Sequence, residues 1–100
     1  MIIRVNTAGQ VAIDDHDVFT DFHVQASSEL VGNDLAATMG EDTRVDGEYL
    51  WVAEAAIRLW LIGQTDKAWD DGFSAMVDYA RSRGWTNPAG THLRAHVDYA

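Results

Sequence analysis

The sequence predicts an α+β fold, with a small sheet from an N-terminal hairpin and a C-terminal strand packed on three to four helices. Three observations predict it. Short β-branched runs flank a turn near the amino end, strict apolar/polar alternation marks Thr91–Tyr99, and a capped amphipathic helix precedes that alternation. A chain of 100 residues is the size of one domain, residues 1–100.

Ile2–Val5 and Val11–Ile13 are the β-branched runs, and Thr7, Ala8, Gly9 and Gln10 between them suit a hairpin turn. Asp14, Asp15, His16 and Asp17 then form a polar break. Residues 18–26 carry two patterns. Phe22, Val24 and Ala26 alternate with Asp21, His23 and Gln25 as in a strand, whereas Val18, Phe19, Phe22 and Ala26 fit a helical face that starts from an Asp17 cap. The adjacent Val18 and Phe19 break the alternation and favour the helix. Val31, Leu35 and Met39 line one face of a short helix over Ser28–Met39, with Gly32 inside it and Gly40 as its stop.

Glu41–Asp46 reads as a charged loop, and Asp46 is placed to cap a helix beginning just after it. Tyr49–Ile62 carries charge only at Glu54 and Arg58, which stand four apart and lie one above the other on a helix. Such a helix is apolar nearly all round, unlike a surface helix with one apolar stripe, and must be covered by its own domain or by a second chain. Alternatively, Tyr49–Val52 is a strand leading into a shorter helix from Ala53. Gly63 ends the segment in both readings.

The next helix is defined at both ends. Thr65 is a good N-cap with Asp66 in the first turn, and Trp69, Phe73, Met76, Val77 and Ala80 make one apolar face. Arg81 and Arg83 suit the negative end of the helix dipole. Gly84 fits the left-handed position just past the end, and Trp85 fits the apolar residue that folds back. Asn87, Pro88, Ala89 and Gly90 form a turn. In Thr91–Tyr99, Leu93, Ala95, Val97 and Tyr99 face one way, and His92, Arg94, His96 and Asp98 the other, as in a half-buried strand. This order, an early strand, short acidic helices and a long helix ending at Gly84 before a last strand, resembles the layout of barstar-like ribonuclease inhibitors. The tyrosine-rich segment that marks that family is missing at Val31–Leu35, and membership is not implied.

Charge narrows the functional classes. The net charge is −9, with Lys67 and six scattered arginines as the only Lys and Arg. Nucleic acids and anionic membranes select for the opposite balance, so neither is an expected partner. No cysteine is present, which removes disulfides, zinc–thiolate sites and thiol chemistry. The opening residues lack the apolar core of a secretory signal, and Tyr49–Ile62 is shorter than the roughly 20 residues needed to span a bilayer. A soluble, cytoplasmic protein is expected.

No nucleophile elbow, phosphate loop or dinucleotide fingerprint is present. His92 and His96 tempt as a metal pair, but four residues along a strand separates them by roughly 13 Å, too far for one ion with bonds near 2.0–2.1 Å. Asp14–Asp17 lacks the glycine and terminal glutamate of a calcium loop, so no metal and no cofactor are expected. His23 joins Arg94 and Asp98 as an acid–base set only where the two segments meet. Trp51, Ile57, Trp60 and Leu61 are interface candidates, because tryptophan is enriched at protein interfaces. The leading expectation is a small acidic binding or regulatory protein that engages a basic protein partner or forms a homodimer. The first alternative is a small enzyme or small-molecule binder built on His23, His92, Arg94, His96 and Asp98. The second is a structural domain without a ligand.

Overall fold

The computed structural model describes residues 1–99. In chain order the elements are β1 (Ile2–Val5), β2 (Val11–Asp14), β3 (His23–Ala26), α1 (Gly32–Met39), β4 (Arg44–Asp46), β5 (Tyr49–Ala53), α2 (Glu54–Trp60), α3 (Lys67–Ser82) and β6 (His92–Tyr99). All six strands form one sheet in the order β2-β1-β3-β6-β5-β4. β3 runs parallel to both β1 and β6, and the other neighbours are antiparallel. The expected small sheet on three to four helices is thus overturned. A six-stranded mixed sheet dominates and carries three helices, two of them only eight and seven residues long.

Each extra strand has a physical cause. Residues 18–26 do not form the favoured helix. Val18 to Phe22 run irregularly, and His23–Ala26 pair on both sides, with β1 and β6. Four residues of strand flanked by two neighbours gain ladder hydrogen bonds and bury Val24 and Ala26, which outweighs a weak helical periodicity. The charged loop expected at Glu41–Asp46 contains β4, and Asp46 caps no helix. It pairs instead with Tyr49 across a two-residue turn. Gly47 takes the first turn position with φ +59° while Glu48 keeps an ordinary negative φ, the pattern of a type II′ hairpin. The apolar run at 49–62 is divided as in its alternative reading. Leu50 and Val52 point to the core from β5, while Tyr49 and Trp51 stand on the other face. Helix starts at Glu54, whose carboxylate reaches Arg58 at 3.7 Å.

α1 is shorter than the expected Ser28–Met39, because Gly32 with φ +55° begins the helix instead of lying within it. α3 follows its pattern closely. Asp66, one residue past the expected Thr65, is the cap, and its carboxylate accepts from the Trp69 backbone N–H at 2.9 Å. At the far end Gly84 has φ +76°. The Trp85 N–H donates to the Ala80 carbonyl at 2.9 Å and the Gly84 N–H to the Arg81 carbonyl at 3.2 Å, a Schellman closure. The Trp85 ring returns edge-on to Tyr79 with centroids 5.9 Å apart.

Residues opposite in register share a sheet face. One face presents Ile3, Val5, Val24, Ala95, Leu93, Leu50 and Val52, all buried in a single core with Leu35 and Met39 of α1, Ile57 of α2 and Trp69, Phe73 and Val77 of α3. The other face presents Arg4, His23, Gln25, Arg94, His96, Asp98, Tyr49 and Trp51 by the same registers. The two faces therefore divide the chain into a core side and a chemical side. Among the described residues no helix is long and apolar enough to cross a membrane.

Phe73 is fully buried, and its ring stacks on Trp69 with centroids 4.8 Å apart. Truncating a buried phenylalanine removes transfer energy and leaves a cavity. Phe73→Ala is expected to lower the unfolding free energy by about 3–5 kcal/mol, as measured by urea denaturation followed through tryptophan fluorescence.

Candidate functional site

The parallel register of β3 and β6 sets His23 directly beside His96. Their rings stack with centroids 5.2 Å apart and planes 17° from parallel. Asp98 lies two residues beyond His96 on the same strand face, so its carboxylate reaches both imidazoles. One oxygen is 3.5 Å from His23 Nε2 and the other 3.8 Å from His96 Nε2. On the opposite edge of the His23 ring, Asp21 Oδ1 is 3.0 Å from Nδ1. A carboxylate only accepts, so the Nδ1–H of His23 donates to Asp21 and Nε2 faces Asp98. His23 is 7% exposed, whereas His96 and Asp98 are exposed.

The segment that carries Asp21 is fastened from below. The Met1 ammonium donates to the Val18 carbonyl at 2.6 Å and also to the Asp21 carbonyl. Burial pushes this ammonium below the ordinary amine value, while Asp21, Asp15 and Asp17 act in the opposite sense. Asp21 and His23 thus share an anchored approach to the centre of the sheet.

β6 starts four residues before its register partner in β3, so its first residues have a free edge there. Trp85 and Thr86 take that edge. Thr86 bridges Leu93, and the Arg94 N–H donates to the Trp85 carbonyl at 2.9 Å. Between Phe22 and Trp85 the sheet leaves a groove of about 690 Å3, lined by Phe19, Phe22, Met76, Tyr79 and Trp85, with Arg94 and His96 on its wall. The Arg94 guanidinium lies 4.6 Å over the Tyr49 ring and has no ion-pair partner among the described residues. The volume falls inside the roughly 300–1,000 Å3 of small-molecule sites, and the lining has their character, apolar walls with few polar groups.

Of the five polar residues singled out in the sequence, His23, His96 and Asp98 come together, Arg94 stands two residues before His96 on the same face with its guanidinium over Tyr49, and His92 lies apart. His92 Nε2 donates to the Asp42 carbonyl at 2.8 Å, which leaves Nδ1 to accept from the Thr91 hydroxyl at 2.7 Å. It ties the start of β6 to the loop before β4. The interface candidates scatter. Ile57 and Leu61 are buried in the core, Trp60 is half-buried against it, and Trp51 is half-buried with its Nε1 donating to Asp46 at 3.1 Å. Leu59 and Ile62 are the most exposed large apolar residues of that segment. Asp21, Tyr49 and the groove aromatics escaped sequence reasoning. The available signal was the spacing of Asp21 and His23, which share a face once residues 21–26 are extended.

No family model, curated protein or solved structure matches the chain. The layout resemblance to barstar-like inhibitors rests on element order alone, and the observed order, with three strands before the first helix, departs from it.

If His92 serves as a tie and not as a ligand-facing group, His92→Ala is expected to cost about 1–2 kcal/mol of stability through the lost hydrogen bonds. The imidazole NMR signals of His23 and His96 should stay where they are. A shift in those signals would place His92 inside the cluster.

Proposed function

We propose that this chain is a small-molecule-binding protein whose ligand occupies the groove beside β6. The observation that supports it most is the pairing of an aromatic-lined groove with an arginine that lacks a carboxylate partner on its wall. The ligand fitted by this chemistry has a flat apolar body and an anionic group. The body lies among Phe19, Phe22, Met76 and Trp85, and the anion meets Arg94, whose planar fork suits carboxylates and sulfonates. The net charge of −9 disfavours an anion, but solvent salt screens exposed carboxylates more than about 8 Å away, so the balance at the groove is set by Arg94 against Asp21, the one carboxylate residue in its lining. The Tyr49 ring pre-orients the guanidinium and lowers the entropy lost on binding.

The test uses an anilinonaphthalene sulfonate, an aromatic anion that fluoresces on leaving water. Saturable binding to the folded chain is expected. Arg94→Ala should weaken it about tenfold, the loss of one charge-assisted hydrogen bond, and Met76→Trp should fill the groove and abolish it. Equal binding by the wild type and both variants would defeat the proposal.

A second proposal keeps the protein-binding reading of a regulatory protein with a basic partner or a second copy of itself. Leu59 and Ile62, 67% and 74% exposed at the end of α2, favour self-association through that end. Light scattering behind size exclusion should then give a dimer that Leu59→Asp with Ile62→Asp converts to a monomer. A wild-type monomer at high concentration removes the self-association arm.

A further inference from the structure

We infer that His23, His96 and Asp98 form a binding site for one divalent transition-metal ion, with zinc as the best match. The ligand atoms of the three side chains all lie within 4.8 Å of one another. Around tetrahedral zinc with bonds near 2.0–2.1 Å, neighbouring ligand atoms sit roughly 3.3–3.4 Å apart. The separations of 3.5 and 3.8 Å from Asp98 to the two imidazoles are already close to that. His96 and Asp98 are exposed and free to close the remaining distance by rotamer adjustment.

Asp21 is the independent observation. Metal-binding histidines almost always give their second ring N–H to a carboxylate or carbonyl, which fixes the tautomer and turns the lone pair towards the metal. Asp21 does this to His23 Nδ1 at 3.0 Å. With Nδ1 protonated, a neutral His23 points an Nε2 lone pair at the Asp98 carboxylate, two acceptors facing each other. That arrangement is stable only with a cation between them, either a proton on Nε2 or a metal ion. The two imidazoles stack nearly parallel, so the exposed His96 ring must turn out of the stack to aim its lone pair at an ion held by His23 Nε2. A proton links His23 to Asp98 alone, whereas a metal ion takes a ligand atom from His96 as well, and that atom already lies within 4.8 Å of the other two.

Charge and ligand type agree. Two neutral imidazoles with the carboxylates of Asp98 and Asp21 balance one dication, and nitrogen with carboxylate donors suits zinc over calcium or magnesium. Three protein ligands leave a fourth position for water or a donor atom of a ligand. His96 is also on the groove wall, so the ion adjoins the proposed ligand site. The inference stands on the cluster itself and does not need the groove to be occupied.

Isothermal titration of the full chain with zinc chloride tests it, together with long-range 1H–15N spectra of the four histidines. One zinc per chain is expected, with the Nε2 signals of His23 and His96 moving and His23 Nδ1 remaining protonated. His96→Ala and Asp98→Ala, both at exposed positions, should keep the fold by circular dichroism and weaken zinc at least tenfold. Asp21→Asn should weaken it about 10–100-fold, the usual range for such supporting partners. His16→Ala, in the acidic stretch 14–17, should leave zinc binding unchanged. Three results would overturn the site: no zinc uptake by the wild type, unchanged uptake in His96→Ala and Asp98→Ala, or uptake lost in His16→Ala instead. Histidine signals that follow pH but ignore zinc would assign the cluster to a proton-bridged ion pair.

Discussion

The parallel pairing of β3 with β6 is the constraint on which the rest of the sheet depends. In the order β2-β1-β3-β6-β5-β4 it is the one junction between a three-stranded N-terminal half and a three-stranded C-terminal half. Its register, Val24 opposite Val97 and Ala26 opposite Tyr99, joins segments more than seventy residues apart in sequence. Loop-closure entropy must be met before such contacts give anything back. The apolar interior supplies the compensation. Val24, Leu50, Val52, Leu93 and Ala95 complete one buried face only when both halves are in place.

The same junction concentrates the chemistry. Side-chain direction alternates along a strand, so a register that buries Val24 must turn His23 to the other face, beside His96. A slip of one residue would exchange the two and bury the histidines among aliphatic side chains. Core packing therefore protects the His23, His96 and Asp98 geometry without any of the three taking part in the core. His23 is nonetheless largely buried, and Asp21 and Asp98 flank its two nitrogens, so among the described residues no buried side-chain nitrogen or oxygen lacks a hydrogen-bond partner.

Acidic charge is spread over the surface while most cations are bound to specific tasks. Arg58 meets Glu54 and Asp70 and lies over the Phe73 ring at 4.9 Å, Arg4 meets Asp14, and Arg81 meets Asp78. Of these pairs Arg58–Asp70 joins two helices, while the others lie within one helix or across the β1–β2 hairpin, and such exposed pairs add little stability. Arg94 over Tyr49, like Arg83 over Trp85, leans on an aromatic ring without an ion-pair partner among the described residues, and it gives the groove wall a polar anchor.

Wherever local rules sufficed, the sequence by itself determined the element. The Schellman closure of α3, the β1–β2 hairpin, the Asn87–Gly90 turn and the alternation of β6 depend on neighbours within a few residues, and all are present, while the cap of α3 falls on Asp66, one residue past the expected Thr65. The three clustered residues of the candidate site, His23, His96 and Asp98, were also legible as residue types. Only the tertiary structure decided that they meet, because a period-2 pattern reports which face a side chain takes and says nothing of which strand lies beside it. It likewise decided that Tyr49–Ala53 is strand. A run apolar on every side has no period to read, and its conformation is set by whether β6 or a helical neighbour covers it. For residues 18–26, four residues of strand were outvoted locally by a helical periodicity that pairing with two neighbours overrode. Asp21 became a partner of His23 by that same pairing, which is a property of the assembled sheet and of no segment alone.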